Sequence, residues 1–151
     1  MATFLSRSPA QTKALAKKVG RLLGKGDIVG LVGELGAGKT VFAQGLAGGL
    51  GVSKAEYVRS PSFVLLNIYQ GRLDLYHFDL YRLDNLTELE NIGYKEYFYG
   101  QGVTVIEWAE KIIPALPAEY LSIELYHQSP KERIVKLIPK GRRYRELVNR
   151  I

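Results

Sequence analysis

Gly33-Glu34-Leu35-Gly36-Ala37-Gly38-Lys39-Thr40 fits every position of the P-loop pattern: glycine, four free positions, glycine, lysine, then serine or threonine. The residues on either side supply the context that gives the pattern meaning. Before it, Asp27-Ile28-Val29-Gly30-Leu31-Val32 is a short β-branched run bounded by glycine, which predicts a buried, parallel strand. After it, Val41 to Leu50 reads as a helix ending at Gly51, weakened near its end by four glycines in residues 45–51. Glycines let a backbone wrap closely around phosphates, with N–H groups pointing inward and the helix N-terminus behind them. Lys39 is expected to reach β- and γ-phosphates, and the Thr40 hydroxyl to ligate Mg²⁺.

Such a loop needs an acidic residue near the metal, usually at the C-terminal end of a neighbouring strand. Glu107 closes the apolar run Val103-Thr104-Val105-Ile106, where it can order a metal directly or through its water. Asp79 follows Leu75-Tyr76-His77-Phe78 and can orient an attacking water, act as base or hold the metal. Trp108, the sole tryptophan, adjoins Glu107 and can stack on a purine or on a partner, or fill the core. Ser60-Pro61-Ser62-Phe63 places two hydroxyls around a stiff proline, suited either to a switch responding to a γ-phosphate or to a plain turn opening a strand. Arg82 is a phosphate-neutralising arginine or an ion-pair partner. The two histidines, His77 and His127, are too few for a histidine metal cluster, and His77 is expected to hold its strand end.

Outward from this centre, Ser8-Pro9-Ala10-Gln11 has the grammar of a helix start, with Gln11 completing a capping box, and the helix should run to about Leu23. Phe63–Tyr69 and Leu73–Phe78 should form a hairpin, and Thr87–Tyr99 a helix broken at Gly93. Trp108–Ile113 should be a short helix, Tyr120–Tyr126 and Arg133–Ile138 paired strands, and Gly141–Ile151 a basic terminal helix.

A chain of 151 residues with 46% hydrophobic and 24% charged residues is expected to form one domain, 1–151. The absence of cysteine excludes a disulfide-stapled module and thiolate zinc, and suits a reducing, cytoplasmic home. The longest uncharged stretch, Thr40–Ser53, is too short and glycine-rich to span a membrane, and no signal peptide is expected. The net charge of +6 lies in a tail over about residues 131–151, where Lys131, Arg133, Lys136, Lys140, Arg142, Arg143, Arg145 and Arg150 face only Glu132 and Glu146. That tail suits a phosphate backbone, an acidic partner or plain solvation.

Taken together, the Gly33–Thr40 loop, Ser60-Pro61-Ser62-Phe63, His77-Phe78-Asp79-Leu80-Tyr81-Arg82-Leu83 and Ile106-Glu107-Trp108-Ala109-Glu110 resemble the TsaE (formerly YjeE) family across most of residues 8–114. These are small bacterial P-loop ATPases of tRNA threonylcarbamoyladenosine biosynthesis. The resemblance implies a P-loop NTPase-like α/β three-layer sandwich with a mixed, partly parallel central sheet, and ATP and Mg²⁺ as cofactors. It implies that Lys39 holds the phosphates, Thr40 and Glu107 hold Mg²⁺, Asp79 is the acidic residue of hydrolysis, Trp108 lies at the nucleotide, and Ser60, Pro61 and Ser62 form the switch. The implied partners are TsaD and TsaB, whose complex modifies ANN-decoding tRNAs and which the ATPase resets between turnovers, so that tRNA is met only through the complex. Ser62 stands where the family usually has threonine, and Glu34 where aspartate is common. The alternative from the residues alone is a small P-loop kinase of a nucleoside or metabolite. A guanine-reading Asn-Lys-x-Asp motif is absent.

Overall fold

The computed structural model describes residues 1–55, 58–59 and 65–151. Along the chain run β1 (Ala2–Ser6), α1 (Pro9–Leu22), β2 (Ile28–Gly33), α2 (Lys39–Gly49), β3 (Leu66–Tyr69), β4 (Leu75–Asp79), α3 (Leu86–Asn91), α4 (Tyr94–Phe98) and β5 (Val103–Glu107). A 3₁₀ helix (Ala109–Ala115), β6 (Tyr120–His127), β7 (Arg133–Lys140) and α5 (Arg142–Val148) complete it. The strands form a seven-stranded sheet in the order β1-β7-β6-β2-β5-β4-β3. The middle is parallel, with β2 between β6 and β5 and with β4 beside β5, while β1, β7 and β3 add antiparallel edges.

Period-2 alternation explains why the central strands read as unbroken apolar runs. Val29 and Leu31 of β2 and Val103 and Val105 of β5 face a core built with α1, α2 and α5. Their neighbours Ile28 and Ile106 face the opposite core, closed by α3, α4 and the 3₁₀ helix. Both faces are covered, so the strands alternate between two apolar environments rather than between core and water. The result is the three-layer arrangement with a mixed sheet.

The expected helix start is present, with one change. Ser8 Oγ accepts from the Gln11 N–H at 3.1 Å, but the Gln11 side chain accepts from the N–H of Arg7 rather than that of the cap residue. The far end of α1 is capped from a distance: Arg72, in the turn between β3 and β4, donates to the carbonyls of Gly20 and Leu23 at 2.9 Å. Strand β1 escaped the sequence reading because its five residues have no useful period, and their partners lie at residues 133–137. Trp108, expected inside a short helix, instead precedes it with left-handed backbone, φ 63°.

The terminal segment is built into the molecule. Arg143 donates to Asp27 Oδ2 and to the Leu22 carbonyl, each at 2.8 Å, so this arginine fastens the approach to β2. Next to it the buried Tyr144 hydroxyl accepts from the Ile28 N–H at 2.9 Å. Burial, first, pushes the Tyr144 hydroxyl up from 10.0 to about 12. A folded value above the unfolded one means that stability is fully present below about pH 10 and is lost as the pH rises to 12, by at most about 3 kcal/mol. Denaturant unfolding between pH 9 and 12 should show that fall, and Tyr144→Phe should flatten it while costing about 1–3 kcal/mol at neutral pH for the abandoned N–H.

Candidate active site at the Gly33–Thr40 loop

The loop leaves β2 at Gly33 and enters α2 at Lys39. Gly36 and Gly38 have φ of 79° and 106°, values that side chains resist, so the turn depends on glycine at both. Lys39 is only 5% exposed. Its Nζ donates to the carbonyls of Gly33 and Glu34, and it lies 3.9 Å from the centroid of the Trp108 ring. Burial pushes its pKa down, and the carboxylates of Glu107, Glu110 and Asp79 pull against that shift.

The two carboxylates picked from sequence come from adjacent strands. Glu107 ends β5 and is opposite Asp79, the last residue of β4, in the ladder. Thr40 Oγ1 donates to Glu107 Oε1 at 3.1 Å, which joins the first turn of α2 to the sheet. Asp79 Oδ1 accepts from the Tyr81 N–H at 3.0 Å in a tight turn beyond the strand. The Trp108 backbone N–H donates to the Leu31 carbonyl, and the ring packs 5.2 Å from that of Tyr81. With Lys54, Trp108 is one of two non-glycine residues at positive φ among the described residues, backbone strain of the kind that gathers at functional sites.

A cavity of about 340 Å³ is lined by Leu35, Gly36, Gly38, Lys39, Thr40, Val41, Asp79, Tyr81, Glu107 and Trp108. The structure therefore brings Lys39, Thr40, Asp79, Glu107 and Trp108 to one cavity. Arg82, on the exposed turn after β4, does not line it. Ser60, Pro61, Ser62 and Phe63 lie outside the described residues. A second cavity, about 200 Å³, adjoins the other side of the loop, sharing Gly36, Gly38 and Val41 and adding Ser8, Pro9, Thr12, Pro130, Lys131 and Arg133. Sequence reasoning missed this one, because the start of α1 and the β6–β7 turn are more than a hundred residues apart and share no motif. Tyr81 was also missed as a lining residue, although its motif was noted.

The donors suit a magnesium nucleotide. A hydroxyl and a carboxylate are hard oxygen ligands, and Mg²⁺ takes few of these from protein, completing its shell with phosphate and water. No group of three or more His, Cys, Asp or Glu capable of holding a metal occurs among the described residues. Nor is any helix there long and apolar enough to cross a membrane.

A buried parallel strand, a glycine-rich loop and a helix opening on Lys-Thr, inside a mixed sheet with helices on both faces, define a P-loop NTPase-like α/β protein. The family model "Threonylcarbamoyl adenosine biosynthesis protein TsaE" matches residues 6–135, and the chain belongs to the TsaE family. It is 43% identical over 141 residues to the tRNA threonylcarbamoyladenosine biosynthesis protein TsaE of Bacillus subtilis (strain 168), covering 93% of this chain and 87% of the relative. The protein of the same name from Treponema pallidum (strain Nichols) is 49% identical over 121 residues, 80% of this chain and 88% of that one. The crystal structure of Bacillus subtilis YdiB superposes with a TM-score of 0.83 at 38% identity, covering 98% of this chain and 91% of that one.

Proposed function

We propose that this protein is a Mg²⁺-dependent ATPase that acts with TsaD and TsaB in threonylcarbamoyladenosine modification of ANN-decoding tRNAs, resetting the TsaD–TsaB complex between turnovers. Membership of the TsaE family and the names of its relatives support the pathway. The observation that carries the chemistry is the Thr40–Glu107 contact beside the buried Lys39. In this reading Thr40 and Glu107 hold Mg²⁺, which when bound offsets charge on the phosphate oxygens. Loop N–H groups and Lys39 bind the β- and γ-phosphates. Asp79, whose Oδ1 is held by the Tyr81 N–H, orients the attacking water through its other oxygen and accepts its hydrogen there. Because the Trp108 ring packs on the Lys39 ammonium, it stands at the phosphate end, and the nucleoside half takes the second cavity, over Thr12 and beside Lys131. The location is cytoplasmic, and tRNA is reached through the complex.

The test is steady-state ATP hydrolysis by the purified chain, alone and with the TsaD–TsaB pair. Turnover should be slow alone, because no arginine among the described residues lines the cavity, and rise at least about tenfold with the pair. Asp79→Ala should remove the stimulated turnover while nucleotide still binds. Unchanged turnover in that variant would remove Asp79 from the chemistry. No partner effect, with phosphate appearing on an added small-molecule acceptor, would make the protein a kinase.

A further inference from the structure

Glu107 is held from two sides, and the second contact lies beyond the P-loop pattern. His77 Nε2 lies 2.5 Å from Glu107 Oε2, with the two side chains 0% and 3% exposed. The ladder explains the meeting: β4 and β5 are parallel with His77 opposite Val105, so Glu107 follows two residues further along the same face. The other ring nitrogen, Nδ1, is buried and has no hydrogen-bond partner among the described residues.

These facts fix the tautomer. With its proton on Nδ1, the ring would bury an N–H without an acceptor and press the bare Nε2 lone pair against a carboxylate oxygen. With its proton on Nε2, the single N–H is spent on Oε2. Glu107 then presents Oε1 towards Thr40, and its carboxylate is kept from swinging round to offer both oxygens. Mg²⁺ demands near-octahedral, single-oxygen ligation, whereas Ca²⁺ accepts bidentate carboxylates.

We infer that His77 is a positioning residue that holds Glu107 through an Nε2–H···Oε2 hydrogen bond, so that the site takes Mg²⁺ through one carboxylate oxygen and discriminates against Ca²⁺. The inference rests on the proposal that Thr40 and Glu107 hold the metal. Outer partners of metal ligands typically change metal affinity 10–100-fold when lost.

The probe is ADP binding followed by Trp108 fluorescence, in EDTA and across a titration of Mg²⁺ or Ca²⁺. His77→Leu should raise the half-saturating Mg²⁺ concentration at least about tenfold and narrow the preference over Ca²⁺, with ADP affinity in EDTA unchanged. His77→Gln, which returns an amide N–H at similar reach, should recover most of the Mg²⁺ response. The inference is overturned by a folded His77→Leu with a wild-type Mg²⁺ titration, by an equal loss of ADP affinity in EDTA, or by failure of His77→Gln to recover. Should His77→Leu not fold, imidazole ¹⁵N shifts of the wild-type protein decide: Nε2–H supports the assignment, and Nδ1–H overturns it. Glu107→Gln separates the two readings. If it too leaves the Mg²⁺ titration unchanged, the metal assignment of Glu107 fails; if it shifts the titration while His77→Leu does not, only the role of His77 is lost.

Discussion

Lys39→Met should lower ATP hydrolysis by about 10²–10³-fold, with and without TsaD and TsaB, and should not lower the melting temperature. The loss follows from removing a charge-bearing donor that is shielded from water, where such groups stabilise transferring phosphoryl groups most. The unchanged stability follows from the cost of burying that charge: at 5% exposure, burial pushes the amine's pKa below its usual 10.5 despite three nearby carboxylates. A folded pKa below the unfolded one makes the ammonium a burden on the fold at neutral pH. The sign is opposite to that of Tyr144: as the pH climbs from the folded value towards 10.5, the wild type gains stability from this group, and the methionine variant does not. Methionine keeps an unbranched side chain of nearly the same length, so little volume is lost. Calorimetry and a phosphate-release assay on the same preparation read both effects. Retained turnover would remove Lys39 from the chemistry.

Gly45→Val should be the most damaging single change to the fold. Helices α1 and α2 meet through glycine. A Cβ at Gly45 would lie 2.4 Å from Ala16 Cβ and 2.5 Å from the Lys13 carbonyl, and one at Gly49 would lie 2.4 Å from the Lys17 carbonyl. Gly20 on α1 is equally tight against the Leu46 carbonyl. Backbone is in the way, so rotamer changes cannot relieve the clash and the helices must separate. That separation would open the core formed by Val19, Phe42, Leu46 and Val105. The expected cost is about 4 kcal/mol or more, at the exceptional end for one substitution, against a total of about 5–15 kcal/mol. At about 2–4 °C per kcal/mol for a chain of this size, the midpoint should drop by about 10 °C or more. Gly48→Ala is the control: its Cβ would meet nothing closer than 3.9 Å, so it should be neutral or gain up to about 1 kcal/mol from helix propensity. A Gly45→Val protein with wild-type melting would show that the helices are not so closely apposed. Because α2 carries Lys39 and Thr40, a partly folded variant should also lose hydrolysis through misplacement of the site.

The same glycines show where sequence reading stops. By local propensity alone, the four in residues 45–51 weaken a helix, yet α2 runs through Gly49. Two of those glycines are paid back across space by contacts with α1, which a propensity scale does not see. The tail is similar: as a string of arginines it suggests a docking surface, but Arg143 is committed to Asp27 and the Leu22 carbonyl.

By itself, the sequence determined what depends on neighbours along the chain. The loop glycines, the lysine and threonine that follow, the strand and helix around them, the cap at Ser8 and the break at Gly93 are all set by backbone sterics and short-range periodicity. Asp79 and Glu107 were legible because each ends an apolar run. Only the tertiary structure decided which strands lie side by side, and so which groups meet. The parallel pairing of β4 with β5 puts His77 against Glu107, the fold of β5 onto β2 puts Glu107 against Thr40, and the left-handed turn at Trp108 lays its ring on Lys39. Each contact joins residues 30 to 69 apart along the chain, and no local preference encodes it. They meet because the packing that buries both faces of the sheet sets β2, β5 and β4 side by side, with their ends beneath the loop.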